Sequence, residues 1–274
     1  MNQLATPSCE SPERLLDTAS GAAAAAAAIH RDAAQRGGAW RIGEKSTASD
    51  FVSEVDLAAQ EAALAVIVDR HPHHRVVAEE EGGGREGAPG TDFLWLVDPL
   101  DGTTNFLHGH PYHAASVCAW DGCGPVAAAV EAPALGRVWT AARGQGAHGN
   151  GKPIRVSRTA RIERFLLGTG FPFKNHTALP AYLRELERAL RATSGVRRTG
   201  AAAIDLAYVA SGILDGFWES RLAPWDYAAG VLLVKEAGGV VERVEGGEVG
   251  VKAGSVIAAN GARGLAELRR VLQR

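Results

Sequence analysis

Two carboxylates stand three residues apart in the stretch WLVDPLDGTTNF, where Asp98 and Asp101 follow an apolar run and flank a proline. Asp-Pro and Asp-Gly are common turn dipeptides, which explains a strand end but gives the second acid no role. Mg²⁺ binds oxygen ligands in near-octahedral geometry and shares substrate phosphates. Asp98, Asp101 and the backbone carbonyl of Leu100 can all present oxygens from this one turn. The spacing therefore favours a magnesium site.

Further acids are needed if two ions bind side by side, because one carboxylate must then bridge them. The candidates are Glu79, which ends the preceding apolar strand, and Asp226 in the segment PWDYAAG, where it opens a helix. Asp226 also suits a purely structural role, since aspartate is favoured at the cap and in the first turn of a helix. Each isolated acid is a weak signal, and only their combination with the Asp98 turn indicates a site.

Gly102, Thr103 and Thr104 follow the two acids directly. A helix that starts here would direct free backbone N–H groups at a phosphate held by the ions. The Thr103 hydroxyl could orient a water molecule and Glu79 could accept its proton, so that the water attacks phosphorus in line. This arrangement needs no covalent nucleophile on the protein.

These residues depend on the helices and strands that carry them. The alanine-rich run from Pro12 to Gly37 predicts a first helix, and Glu54 to Arg70 predicts a second helix with a broad apolar face. The segments RVVA and FLWLV predict strands that end beside Glu79 and Asp98, so both acidic groups are placed at strand ends. The segment between the two helices is expected to be a hairpin or a loop.

The rest of the chain predicts a series of strands first, and then strands that alternate with helices. The segments YHAASVCAW, VAAAVEA and RVWTAA predict strands linked by glycine-rich turns. From about Arg161 the predicted elements alternate, with strands at RFLLGTG and LDGFWES, helices at LPAYLRELERALRA, AAAIDLAYVASG and DYAAGVLLVKEAGG, and then one last strand and helix. This second half is expected to be α/β.

The composition excludes several classes of protein. The chain has 274 residues, 46% of them hydrophobic, and a formal net charge of −2. It has no long basic block, so neither nucleic acid nor an anionic membrane is an expected partner. Its longest aliphatic stretch, Ala22 to Ile29, is far shorter than the ~20 residues that span a bilayer. Together with only three cysteines, these features predict a cytoplasmic protein that acts on small molecules.

Three alternative interpretations of single motifs are weak. The segment HPHH could hold a transition metal, but it follows a helix end and lacks a second group of ligands at a recognised spacing. The glycines of EEEGGGREGAPG are not followed by the Gly-Lys-Ser/Thr of a nucleotide-binding loop. The segment LDGTT partly resembles the haloacid-dehalogenase phosphatases, which use an aspartate nucleophile, but Pro99 stands where their pattern needs a second aspartate.

Four segments together carry a resemblance to a known family. WLVDPLDGTTNFLHGHP and PWDYAAGVLLVKEAGG, with EKSTASDFVSEVD and AEEEG, resemble the inositol monophosphatase family of Mg²⁺-dependent, lithium-sensitive phosphatases. The segments TGFPF and RRTGAAAIDLAYVASGILDGFWE resemble the pattern of the bacterial members. The resemblance covers the chain from about Lys45 to Gly239, in the order of the family.

The resemblance implies a fold, a cofactor and an assembly. The expected fold is a five-layered αβαβα sandwich, with an N-terminal α+β part at 1–155 that carries most metal ligands and a C-terminal α/β part at 156–274. The expected cofactor is Mg²⁺, with two or three ions in each active site. The expected assembly is a homodimer.

The resemblance also assigns roles residue by residue. Implied metal ligands are the carboxylates of Glu79, Asp98, Asp101 and Asp226 and the carbonyl of Leu100. Asp56 and Thr103 match the pair that lies near the attacking water, and with Glu79 they form the implied catalytic set. Implied phosphate and substrate contacts are Gly102, Thr103, Glu219, Gly200, Ala201 and Lys45.

Two positions depart from the pattern of the family. Ala201 stands where relatives commonly have Ser or Thr, so one hydroxyl contact to the substrate is missing, and Ala78 replaces a glycine before the paired glutamates. The implied reaction is hydrolysis of a phosphate monoester, with inositol 1-phosphate as the first choice of substrate. Fructose 1,6-bisphosphate, histidinol phosphate and nucleotide 3′-phosphates are the alternatives, and a non-catalytic relative that only binds a partner is a further one.

Overall fold

A computed structural model describes residues 10–37, 41–44, 51–88, 91–172 and 176–273. The helices are α1 Pro12–Gln35, α2 Glu54–Arg70, α3 Thr103–Leu107, α4 Leu179–Ala192, α5 Ala202–Ala210, α6 Pro224–Glu236 and α7 Ala262–Gln273. The strands are β1 Ile42–Glu44, β2 Phe51–Ser53, β3 Arg75–Ala78, β4 Leu94–Asp101, β5 Ala114–Asp121, β6 Gly124–Ala132, β7 Arg137–Ala142, β8 Ala147–Gly149, β9 Lys152–Ile154, β10 Leu166–Thr169, β11 Gly195–Arg197, β12 Gly216–Leu222, β13 Val240–Glu242 and β14 Gly254–Ala259.

The two N-terminal helices form where the sequence predicts them. The Ser11 side chain caps α1 by accepting the Arg14 amide at 3.3 Å, and Pro12 occupies the first turn, where a missing N–H costs nothing. Helix α2 begins with a capping box in which Ser53 and Asp56 satisfy each other's backbone amides. Both helices pack together on one face of the larger sheet, and the segment between them, expected to be a hairpin or a loop, contains the antiparallel pair β1 and β2.

The larger sheet has seven strands in the order β3-β4-β5-β6-β7-β8-β9. Only its first pair, β3 and β4, is parallel, and the remaining strands follow one another as antiparallel neighbours. The inner strands β5 and β6 are buried almost along their whole length. They read as continuous apolar runs because helices cover both faces of this sheet.

The smaller sheet has five strands in the order β11-β10-β12-β14-β13. The sequence predicts one final strand, whereas β13 and β14 form an antiparallel pair, and β11 was not predicted. Strands β11 and β13 are three residues long, and so are β8 and β9 of the larger sheet, which were not predicted either. Segments this short show too little alternation to be recognised without their pairing partners.

Helices separate and cover the two sheets, and the layers confirm the predicted five-layered sandwich. Helices α1 and α2 cover one face of the larger sheet, and α6 with α5 packs on its other face. Helix α5 also contacts β10, β12 and β14 of the smaller sheet, whose outer face is covered by α4 and α7. Helix α6 belongs to the C-terminal half yet packs on the N-terminal sheet, so the division at residue 155 stays a prediction. None of the described helices is both long and apolar enough to cross a membrane.

Candidate active site

The parallel pairing of β3 and β4 places Glu79 beside the turn that begins at Asp98. Ala78 pairs with Val97, and the Glu79 amide continues this ladder by donating to the Val97 carbonyl at 3.1 Å. Parallel strands bring their carboxyl ends to the same edge of a sheet, which is where ligands commonly bind. Glu79 and Asp98 therefore meet at this edge.

The turn that carries both aspartates is a bulge within β4. Asp98 lies opposite Ser116 of β5 and Asp101 lies opposite Ala114, so β4 has one residue more than its partner between these pairs. Proline suits such a position because it has no N–H to contribute to the ladder. The bulge takes the residues between the two acids out of regular pairing.

Backbone amides orient both carboxylates of the bulge. The Leu100 amide donates to Asp98 Oδ1 at 3.0 Å, and the Ala203 amide donates to Asp101 Oδ2 at 2.8 Å. Ala203 lies in the first turn of α5, where backbone N–H groups have no partner within the helix. A helix from the C-terminal half of the chain thus fixes an acid of the N-terminal half.

Asp226 approaches the same point from the first turn of α6. It accepts the Ala223 amide on Oδ2 at 2.7 Å, so the structural role considered for it is real. Its carboxylate also joins those of Glu79 and Asp98, with one oxygen of each acid lying within 4.8 Å of the others. Capping and cation binding are therefore compatible at this position.

The crowding of these acids raises the pKa of the two central carboxyl groups. Burial raises the pKa of Asp98 well above its ordinary value, and the charges of Glu79, Asp101 and Asp226 raise it further. Burial and the Asp226 charge likewise raise the pKa of Asp101, against the opposing effect of the Ala203 amide. Buried carboxylates at this spacing need a cation to stay ionised together. Their all-oxygen donor set fits a hard divalent ion such as Mg²⁺.

Asp56 and Thr103 meet beside the bulge, as the resemblance implied. The Thr103 hydroxyl donates to Asp56 Oδ1 at 2.8 Å and lies 3.2 Å from the Leu100 carbonyl oxygen. Asp56 Oδ2 accepts from both the amide and the hydroxyl of Ser53, at 2.7 and 2.5 Å. Because Thr103 has one hydrogen to give, its oxygen retains lone pairs that can accept a hydrogen bond from a water.

Gly102 permits the chain to turn from the bulge into α3. Its φ of 85° lies in the left-handed region, and a Cβ built there would stand 2.8 Å from the Tyr112 carbonyl oxygen. Glycine alone meets both conditions. The short helix that follows begins at Thr103, as predicted, and no side chain of the described residues caps its first turn.

Glu219 forms one wall of a cleft of about 350 Å³ that also contains the acidic cluster. The chain passes Glu219 so closely at Gly170 that a Cβ there would stand 1.9 Å from Glu219 Oε1. Burial raises the pKa of Glu219 well above its ordinary value, and the charges of Asp226 and Asp205 add to this effect. The cleft is large enough for a small phosphorylated polyol.

The other predicted substrate contacts divide into two groups. Gly200 and Ala201 line the cleft. Asn105 holds the loop that carries them, because its side-chain amide donates to the carbonyl oxygens of Thr199 at 2.9 Å and Tyr112 at 2.6 Å. Lys45 lies outside the described residues. Ala78 ends β3 in regular strand pairing, so this position requires no glycine here.

Among the residues that line the cleft and were not predicted from the sequence are Asp205, Arg198 and Phe171. Asp205 is 1% exposed, and burial raises its pKa to about 8. Its Oδ1 atom has no hydrogen-bond partner among the described residues. An acid inside the otherwise apolar segment AAIDLAYVA was a signal in the sequence that could have marked it.

The histidines of HPHH form a separate cluster with Glu10. Glu10 Oε2 lies 2.9 Å from His71 Nδ1, and Oε1 lies 3.8 Å from His74 Nε2. The sequence did not show that Glu10 joins the two histidines. A metal ion does not fit this group of three side chains. The Trp95 indole can only donate, and it donates to His74 Nδ1 at 3.1 Å, so the neutral ring carries its proton on Nε2 and has no lone pair there for an ion.

Comparisons with known proteins agree with this fold. A model of the inositol monophosphatase family matches residues 11–274. The chain is 44% identical over 222 residues to the protein named Nus factor SuhB of Pseudomonas aeruginosa, which covers 80% of this chain and 81% of that protein. It is 43% identical over 219 residues to the chloroplastic phosphatase IMPL1 of Arabidopsis thaliana, covering 78% of this chain and 58% of that protein.

A solved structure of inositol monophosphatase from Anabaena (Nostoc) sp. PCC 7120 superposes with a TM-score of 0.82, at 33% sequence identity and with 95% of both chains covered. The layered fold and the family match thus place the chain among phosphatases of the five-layered αβαβα fold. The chain belongs to the inositol monophosphatase family.

Proposed function

We propose that this protein is a Mg²⁺-dependent phosphate-monoester hydrolase whose main substrate is inositol 1-phosphate. The observation that carries this proposal is the cluster of Glu79, Asp98 and Asp226, with oxygens within 4.8 Å of one another, beside the amides of Gly102 and Thr103. Carboxylates and backbone amides together suit a phosphate bound through divalent cations.

The proposed ligands are Glu79, Asp98, Asp101, Asp226 and the Leu100 carbonyl, holding two or three ions. When bound, Mg²⁺ neutralises phosphate charge and makes a water more acidic. The protein residues then orient and deprotonate that water. The Thr103 oxygen, whose hydrogen is directed at Asp56, accepts a hydrogen bond from it, and Glu79 accepts its proton as the water oxygen attacks phosphorus. The bond from phosphorus to the polyol oxygen breaks, and a solvent water gives a proton to the leaving oxygen, so that the polyol leaves as an alcohol.

A polyol fits the substrate side of the cleft. Glu219 lines that side at a fixed position against Gly170, and a carboxylate there can accept hydrogen bonds from substrate hydroxyls. Ala201, a buried residue that lines the same cleft, cannot add a hydroxyl contact. The homodimer, the cytoplasmic location, the inhibition by lithium and a role for Lys45 in binding are proposed from the resemblance to the family, and so is the division into parts at residue 155.

Substrate choice is tested by kcat/KM values for inositol 1-phosphate, fructose 1,6-bisphosphate, histidinol phosphate and a nucleotide 3′-phosphate. We expect the highest value for inositol 1-phosphate, and a roughly hundredfold preference for another would replace it. Asp98→Asn should abolish hydrolysis of all four substrates. Hydrolysis that persists in this variant would overturn the proposed site.

A second candidate function comes from the relative in Pseudomonas aeruginosa, which is named a Nus factor and is 44% identical over 80% of this chain. Growth of a strain that lacks the relative separates the two functions. If wild type and Asp98→Asn both restore growth, this chain acts as such a factor without catalysis. If only the wild type does, hydrolysis carries the function, and if neither does, the second candidate is rejected.

A further inference from the structure

His30 is a fully buried histidine of α1 whose ring lies against the bulge that carries Asp98 and Asp101. Its exposed fraction is 0%, and its Nε2 atom lies 2.8 Å from the carbonyl oxygen of Pro99. A carbonyl oxygen can only accept, so His30 Nε2 carries the proton and donates. The two residues are 69 positions apart in the chain.

The peptide that joins Pro99 to Leu100 is held at both of its polar ends. Its oxygen accepts from His30 Nε2 at 2.8 Å, and its N–H donates to Asp98 Oδ1 at 3.0 Å. The two contacts form a continuous hydrogen-bonded chain from the imidazole, through the planar peptide, to the carboxylate of a proposed metal ligand. Hydrogen bonds in such chains strengthen one another, and a planar peptide transmits orientation from its oxygen to its N–H.

The His30 ring is fixed in one state. Burial, together with the smaller effect of the nearby His113, lowers its pKa to about 3, so the ring is neutral at ordinary pH. Its Nδ1 atom is buried without a hydrogen-bond partner among the described residues. The ring packs edge-on against His113, with centroids 5.5 Å apart, and against Phe106 of α3 at 6.0 Å. A buried nitrogen without a hydrogen-bond partner, such as Nδ1, lowers the stability of the fold. The hydrogen bond made by Nε2 therefore accounts for a histidine at this position.

We propose that His30 is a positioning residue for the metal site, which orients the Asp98 carboxylate through the Pro99–Leu100 peptide. This inference rests on the proposed function, because it takes Asp98 as a metal ligand. Groups that hydrogen-bond to metal ligands without contacting the ion change metal affinity by about 10- to 100-fold. His30 itself touches neither substrate nor ion.

The test compares two variants of similar shape, His30→Gln and His30→Met, in the full-length protein. The glutamine amide can still donate to the Pro99 carbonyl, whereas the methionine thioether cannot. Mn²⁺ binding is measured by electron paramagnetic resonance, with Mg²⁺ as competitor, beside urea unfolding of each variant. We expect His30→Met to bind Mn²⁺ about tenfold more weakly than His30→Gln, which should stay within about threefold of wild type. His113→Leu removes the neighbouring buried histidine but not the donor, and it should bind as wild type does.

Several results would overturn the proposal. Equal Mn²⁺ affinities for the glutamine and methionine variants would remove the role of the donor, and equal weakening by His113→Leu would assign the effect to packing. If the methionine variant does not fold, nitrogen NMR of the wild-type ring decides. The Nε2–H resonance of His30 should shift when Mg²⁺ is added, and an unchanged resonance rejects the proposal. Failure of the wild type to bind Mn²⁺ would overturn the proposed function and this proposal together.

Discussion

Gly170 and Glu219 are in such close contact that the glycine has no room for a side chain. A Cβ at position 170 would stand 1.9 Å from Glu219 Oε1 and 2.0 Å from its Cδ. Glu219 is the last residue of β12 before a shift in its pairing with β14. Regular pairing therefore holds the backbone before Glu219 but not directly after it. The position of Glu219, the proposed substrate contact, thus depends on the absence of a side chain at position 170.

Gly170→Ala should therefore displace the Glu219 side chain. We expect kcat/KM for inositol 1-phosphate to fall about 10- to 100-fold, mainly through KM, because a substrate contact is lost while the acidic cluster stays intact. Steady-state kinetics checks this, with Gly84→Ala as control, since a Cβ at Gly84 meets nothing within 4 Å. An unchanged KM for Gly170→Ala would mean that Glu219 does not contact the substrate.

Thr103→Val removes the hydroxyl that donates to Asp56 at 2.8 Å and nearly preserves the shape of the side chain. If this hydroxyl orients the attacking water, kcat should fall about 100-fold or more while KM for the substrate changes little. The neighbouring Thr104→Val is the matched control, because Thr104 is exposed and also lines the cleft. Comparable losses of kcat in both variants would contradict the role given to Thr103.

Ala201→Ser would supply the hydroxyl that the resemblance to the family leads us to expect at this position. A new hydrogen bond to the substrate of ~1 kcal/mol corresponds to an increase in kcat/KM for inositol 1-phosphate of roughly fivefold. Ala202→Ser, at the adjacent residue that also lines the cleft, provides the comparison. A lower kcat/KM in Ala201→Ser than in the wild type would indicate that this pocket is shaped for a different substrate.

Asp205 should make the stability of the protein depend on pH. Burial raises its pKa from 3.8 to about 8, so the folded protein holds a proton that the unfolded chain has already released between these values. The stability present below the lower value is therefore lost as pH rises through this range, at up to about 1.4 kcal/mol per pH unit.

Asp205→Asn cannot titrate, so its free energy of unfolding should fall less between pH 5 and 8 than that of the wild type. Urea unfolding at several pH values in that range, with metal removed by a chelator, measures the difference. Parallel pH dependences of the two proteins would show that Asp205 is not buried as an isolated acid.

Arg221 holds a left-handed backbone, with a φ of 64°, at the edge of the cleft. Glycine adopts this conformation without steric cost, so Arg221→Gly should stabilise the protein by about 0.5–1 kcal/mol in urea unfolding. Asn150 also has a positive φ, of 47°, but its side chain accepts the Val138 amide at 2.8 Å and donates to the Gly136 carbonyl at 3.0 Å. Asn150→Gly should therefore destabilise the protein, and the same sign of change at both positions would refute the strain at Arg221.

Most elements of the fold could be predicted from the sequence, because they depend on local pattern. Helix α2 has its predicted bounds, Glu54–Arg70, and α3 begins after Gly102 as expected. The strands β11 and β13 were missed because three residues show little periodicity, and their partners lie elsewhere in the chain. The five-layered arrangement came from the resemblance to the family, since periodicity alone does not say which faces meet.

The candidate site divides in the same way. The sequence by itself determined the acids of the Asp98 turn, the glycine and threonine that follow it, and the likeness to a phosphatase family, because residue types and short spacings are written directly in the chain. Only the tertiary structure decided that His30 bonds to Pro99, that Gly170 lies against Glu219, and that Glu10 joins two histidines without forming a metal site. Such contacts depend on how sheets and helices pack, and no local pattern records which distant segments come together.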